Sequence, residues 1–122
     1  MPYKYKIFHE KKTIVVLVEG EVDLKTSIQA MKDVTSDKDF HSQHHVVVDL
    51  RKMKYDPPAK DIFRLRDTIV TTAKNFKGEI TLVNSKETLH IVKLFCMLAK
   101  AYHMNINSVQ KLSGLDELEK EM

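Results

Sequence analysis

Residues 45–50 read His-Val-Val-Val-Asp-Leu, an apolar run broken only by one acid near its end. A strand with one wet face alternates apolar and polar residues, whereas a strand covered on both faces, as in the middle of a parallel sheet, does not need to. The run therefore predicts a central parallel strand. Upstream, Thr13–Val18 (TIVVLV) is a second β-branched run, and Ile80–Val83 (ITLV) is a third core strand downstream. Tyr3–Phe8 does alternate, with Tyr3, Tyr5 and Ile7 on one side and Lys4 and Lys6 on the other. That pattern reads as a half-buried edge strand. The short polar link Glu10–Lys12 predicts an antiparallel hairpin with the strand that follows, ended by Gly20. Ile106–Val109 is a fifth strand candidate.

Helical spacing fills the gaps. Leu24, Ile28, Met31 and Val34 follow a natural N-cap, Asp23, and the helix should close near Ser36. A polar loop, 37–44, leads into the central strand, and a second loop, 51–57, leaves it. Asp56 would cap the next helix, with Pro57 and Pro58 in a first turn that tolerates proline. Ile62, Leu65, Ile69, Ala73 and Phe76 mark its apolar face, and Gly78 its stop. Ser85 and Thr88 open a third helix running to about Tyr102, with a core stripe of Leu89, Val92, Phe95, Cys96, Ala99 and Tyr102. Ser113, with Asp116 three residues on, caps a short final helix. The order ββαβαβαβα predicts an α/β fold: a mixed sheet with an N-terminal hairpin, βαβ crossovers and helices packed on it. The chain's 122 residues are one domain's worth, 1–122.

Composition narrows the function classes. With 43% hydrophobic and 30% charged residues, the chain is too apolar for disorder. A net charge of +3 with no basic stripe gives no reason to expect nucleic acid. The single cysteine, Cys96, forms no internal disulfide and reads as a buried thiol. The longest apolar run, Leu94–Ala99, is far short of the ~20 residues of a membrane span. The N-terminus has no signal-peptide pattern, so a cytoplasmic protein is expected. No phosphate loop, dinucleotide fingerprint, nucleophile elbow or His-Glu-x-x-His is present. Neither an enzyme nor a cofactor is expected.

Three stretches, TIVVLVEGEVDLKT (13–26), HVVVDLRKMKY (45–55) and VQKLSGLDELEKEM (109–122), resemble the STAS or SpoIIAA-like fold of bacterial anti-sigma-factor antagonists and related small bacterial proteins. The resemblance covers nearly the whole chain and implies a regulatory, protein-binding module. Those antagonists carry a phosphorylatable Ser or Thr where a helix N-terminus follows the third strand. Here Pro57, Pro58 and Ala59 occupy that turn, and its one hydroxyl is the Tyr55 phenol. No phospho-switch is expected. The SpoIIAA-like core is also similar to lipid-transfer domains of the CRAL-TRIO type, which implies a place for an apolar guest.

Few side chains suggest chemistry. His41 and His44, with Asp37 or Asp39 nearby, are the weak candidates for a metal, on a loop with no obvious fourth ligand, so no metal site is expected. Asp49 and Arg51, two apart on a strand end, point to one side and can pair. Arg51, Lys52, Lys54, Lys60, Arg64 and Arg66 make the densest basic segment, which with Asp56 is a candidate docking surface for an acidic partner. Leu94, Met97 and Leu98 widen the third helix's apolar stripe almost to a full circle. Three readings stand open for that helix: ordinary core, a homodimer face, or the wall of a ligand cavity. The expected function is a non-enzymatic STAS-like interaction module, homodimeric, with an unknown protein partner and no nucleic acid. The alternative is a binder of a small lipid-like molecule in a cavity under the helix Leu89–Tyr102.

Overall fold

The computed structural model of the chain describes residues 2–55 and 58–122; at 59, 62, 66, 69, 70, 72 and 73 it describes the backbone only. Strands β1 (Tyr3–Phe8), β2 (Thr13–Glu21), β3 (His45–Lys54), β4 (Ile80–Val83) and β5 (Ile106–Val109) form one sheet in sequential order. The β1–β2 hairpin is antiparallel and every later pairing is parallel. Helices α1 (Leu24–Ser36), α2 (Ala59–Thr72) and α3 (Leu89–Lys100) are the three crossovers, and α4 (Leu115–Glu119) follows β5. The described residues thus form an α/β fold with a five-stranded mixed sheet and four helices. Among the described residues no helix is long and apolar enough to cross a membrane.

The β-branched runs are continuous because both sheet faces are covered. Val16, Val46, Ile80 and Leu82 belong to the larger core, which also takes in Val34 of α1 and Val92, Cys96 and Ala99 of α3. Val15, Val47 and Val83 face the other way, against Leu115 of α4, which is 1% exposed. The coverage is unequal. Three helices serve one face, and a helix of five residues serves the other. α2 packs chiefly on α1 and α3, so it roofs them more than it touches the strands.

Several boundaries depart from the expectations. Residues 51–54 are not loop: β3 continues through Lys54, pairing Lys52, Met53 and Lys54 with Glu19, Gly20 and Glu21. β2 likewise runs past Gly20, which lies at φ +77°. The extension had looked like loop because a bulge interrupts its alternation. Leu17 pairs with Asp49 but Glu19 pairs with Lys52, so β3 holds one extra residue there. Tyr102 leaves the core stripe and is 38% exposed, since α3 stops at Lys100 and the chain turns through His103 at φ +64°. Neither Ser85 nor Thr88 caps α3 by side chain; the two hydroxyls face each other at 3.3 Å. Ser113 does not cap α4, whose N-cap is Gly114 at φ +84°; Leu115 burial anchors that helix instead. Asp23 does cap α1, accepting from the Thr26 N–H at 2.8 Å. In the α2 stripe Leu65 is buried and Phe76, beyond the helix, meets Phe40 edge-on at 5.7 Å. Ile62, Ile69 and Ala73 lie outside the described side chains, and the Asp56 cap and Pro57 outside the described residues.

Gly78 serves close approach rather than a helix stop. Its N–H and that of Lys77 donate to the Ser42 carbonyl at 3.0 and 2.8 Å. A Cβ there would lie 2.4 Å from the His44 carbonyl oxygen and 2.6 Å from that of Gln43, both rigid backbone. Gly78→Ala should therefore lower stability by about 1–3 kcal/mol in urea unfolding, the ordinary cost of overpacking.

Candidate functional site

Between the three-helix face of the sheet and α1, α2 and α3 lies a cavity of about 190 Å³. Val16, Val48 and Leu82 form its floor, Met31 of α1 and Phe95 of α3 its walls, and Leu65 of α2 its roof. α1 buries only Val34 fully, because the space beneath its first turns is not filled. The lining is apolar almost throughout.

The bulge in β3 decides who lines this space. Val46, Val48 and Leu50 face the cavity at even positions. Unbroken alternation would send Met53 and Tyr55 to the opposite face. The extra residue reverses the parity, and both join the cavity wall. Four hydroxyl side chains reach that wall among the described residues. Tyr3 donates to the Asp33 carboxylate. Ser27 donates to the Asp23 carbonyl at 3.0 Å, and the Thr26 side chain bonds the Asp23 carboxylate. The Tyr55 oxygen is buried with no hydrogen-bond partner among the described residues. Burial, then the charges of Asp61 and Asp23, push its pKa above the usual phenol value, so it stays protonated.

The same bulge builds a charged cluster on the α4 face. Leu50 and Arg51 have no partner residue on β2, and the Arg51 N–H donates instead to Asp49 Oδ1 at 3.0 Å. The Arg51 guanidinium grips Asp49 bidentately, Nε to Oδ1 at 3.0 Å and Nη2 to Oδ2 at 2.8 Å. Nη2 also reaches Asp116 Oδ1 at 3.0 Å and Glu119 Oε1 at 3.8 Å, both on α4. Asp49 is 2% exposed. Burial alone would raise it, but hydrogen bonds from Arg51 and Glu119 outweigh that and hold it below the usual carboxylate range. Glu119 goes the other way, up to about 7, first by burial and then through its hydrogen bond with Asp49 and the charges of Asp49 and Asp116; only Arg51 opposes. Its Oε2 is buried with no hydrogen-bond partner among the described residues. The cluster clamps α4 to the sheet.

The pairing of Asp49 with Arg51 was readable from sequence spacing, whereas Glu119 was not, since nothing places the chain's last helix beside β3. Tyr55 was noticed only as a phenol at a turn; its role at the cavity wall depends on the bulge. Arg51 is engaged by three carboxylates and lies on the face opposite the cavity. Lys60 and Arg64 are exposed on α2, Pro58 is exposed, Ala59 begins the helix, and Asp56 is outside the described residues. On α3, Met97 is 63% exposed, while Leu94 and Leu98 are half-buried. The His41 and His44 rings lie 5.7 Å apart, and each Nδ1 accepts a backbone N–H, from Gln43 and His41, at 3.1 Å. Among the described residues no three His, Cys, Asp or Glu side chains converge to hold a metal. Cys96 is buried. No family model matches the chain, and no curated protein matches it.

Glu119 makes the clamp sensitive to pH. Its proton is bound more tightly in the folded chain, so the stability it contributes is full below about pH 4.5 and is lost as pH rises through about 7. Glu119→Gln retains a donor toward Asp49 and does not titrate. Between roughly pH 5 and pH 8 the parent chain should lose on the order of 2 kcal/mol relative to the variant. Urea unfolding at both pH values checks this, and parallel curves would refute it.

Proposed function

We propose that this chain binds a small, neutral, largely apolar molecule in the cavity between its sheet and helices α1, α2 and α3. The observation that carries this reading is the cavity itself, about 190 Å³ with an almost wholly apolar wall. A packed interior leaves few voids larger than a water molecule. Unfilled apolar space of this size forfeits dispersion contacts that a guest recovers, and binding sites are where proteins keep such spaces. An engineered apolar cavity of roughly 150 Å³ stays dry and takes benzene or xenon. On that scale this cavity holds a guest of about eight non-hydrogen atoms. Met31 and Met53 at the wall supply soft, adaptable contact.

The resemblance to the SpoIIAA-like fold agrees with this reading. A mixed sheet with an N-terminal hairpin, βαβ crossovers and helices packed on it is what that resemblance implies, and its core is similar to lipid-transfer domains of the CRAL-TRIO type. The other reading, a protein-docking module or homodimer, has as its apolar surface Met97 with half-buried Leu94 and Leu98 on α3, Phe63 on α2, which is 57% exposed, and Tyr102. Exposed apolar side chains are common on folded surfaces, whereas a large apolar cavity is not. The cavity reading is therefore preferred, and the role is binding rather than chemistry, since dispersion contacts dominate the wall.

Xenon pressure tests it by methyl NMR. Resonances of Val16, Val48, Leu82 and Met53 should shift along one saturable curve, while those of Val15, Val47 and Val83 stay still. Shifts that fail to saturate, or that are equal on both faces, would sink the proposal.

A further inference from the structure

We infer that Tyr55 sets the specificity of this cavity by donating its phenol hydrogen to one carbonyl-type oxygen of an otherwise apolar, uncharged ligand. The inference rests on the cavity being a binding site and adds the ligand's chemical class. Its basis is the fate of the four hydroxyls at the wall. Tyr3, Thr26 and Ser27 are each consumed within the fold by Asp33 or Asp23. Tyr55 alone among them keeps a buried oxygen with no partner among the described residues. Buried tyrosine hydroxyls ordinarily find one, and an orphan carries the full cost of its desolvation. The strand bulge brings this side chain to the cavity wall when plain alternation would have turned it away.

The surroundings of the phenol select among oxygen-bearing ligands. Burial and the negative charges of Asp61 and Asp23 keep it protonated, so it is a donor seeking an acceptor. The same two charges disfavour a ligand carboxylate or phosphate at this end of the cavity. A ligand cation would gain from them but would lose its hydration against a wall that is apolar almost throughout. A neutral acceptor satisfies the phenol at neither cost. Ketones, aldehydes and esters of an apolar skeleton have that chemistry, and a free fatty-acid anion does not.

Acetophenone and α-methylstyrene test this, because they share one shape and differ by C=O against C=CH2. Affinities of both are measured by NMR titration for the parent chain and for Tyr55→Phe. The ratio of acetophenone to α-methylstyrene affinity should fall about fivefold or more in the variant, the ordinary worth of one buried hydrogen bond. Both ligands binding with an unchanged ratio would overturn the role of Tyr55 while leaving the cavity's function standing. Neither ligand binding the parent chain would overturn the cavity reading and this inference together. The ligand-free Tm separates a structural role: Tyr55→Phe should leave it unchanged or raise it by a few degrees. A clear fall would mean that the hydroxyl has a partner within the fold, which would also refute the inference.

Discussion

One extra residue in β3 organises both halves of this molecule. Between Asp49 and Lys52 the strand holds three steps against two on β2. Its backbone loses its place in the ladder at Arg51, and the Asp49 carboxylate takes up the freed N–H. That hydrogen bond keeps Asp49 and Arg51 together on the α4 face. Beyond the bulge the side-chain parity is reversed, and Met53 and Tyr55 line the cavity. A regular strand could supply one of these arrangements but not both, because its period of two admits no change of phase.

The two faces solve different problems. The α4 side is closed by a helix too short to be stable alone. It is held by Leu115 on the valines of β2, β3 and β4 and by Arg51 reaching to Asp116 and Glu119. Such a clamp demands that charges be desolvated, and Glu119 responds by holding its proton. The three-helix side is closed by more mass but less completely. α1 and α3 rest on the sheet through a few buried residues, α2 bridges them, and the space left beneath belongs to none of them.

Much of the fold was legible in the sequence because its strands are written in different dialects. The alternation in Tyr3–Phe8 marks an edge, and the unbroken valines of 14–18 and 46–48 mark strands covered on both faces. Asp23 announced its helix by side-chain chemistry that operates locally. The misreadings fall where distant parts decide. Residues 51–54 look like loop because a basic, non-alternating segment has no strand signature until β2 pairs with it. Tyr102 fits a helical stripe, yet the turn at His103 leaves it outside. Of the site residues, the Asp49–Arg51 pair was visible because a spacing of two on a strand fixes a common face. Glu119 and Tyr55 were not, since one depends on where the last helix folds back and the other on a register shift that no residue type encodes by itself.

The sheet's order also bears on how it is built. Strands β1 to β5 lie side by side in the order they leave the ribosome, so no later strand has to insert between two already paired. Each pairing joins neighbours in the chain, which keeps loop-closure costs low and lets the sheet grow from one edge. The five-residue α4 comes last and fastens onto β2, β3 and β4, which by then are in place. Until it docks, Asp49 and Val47 face water, so the sheet's second face is sealed only after all five strands have been made.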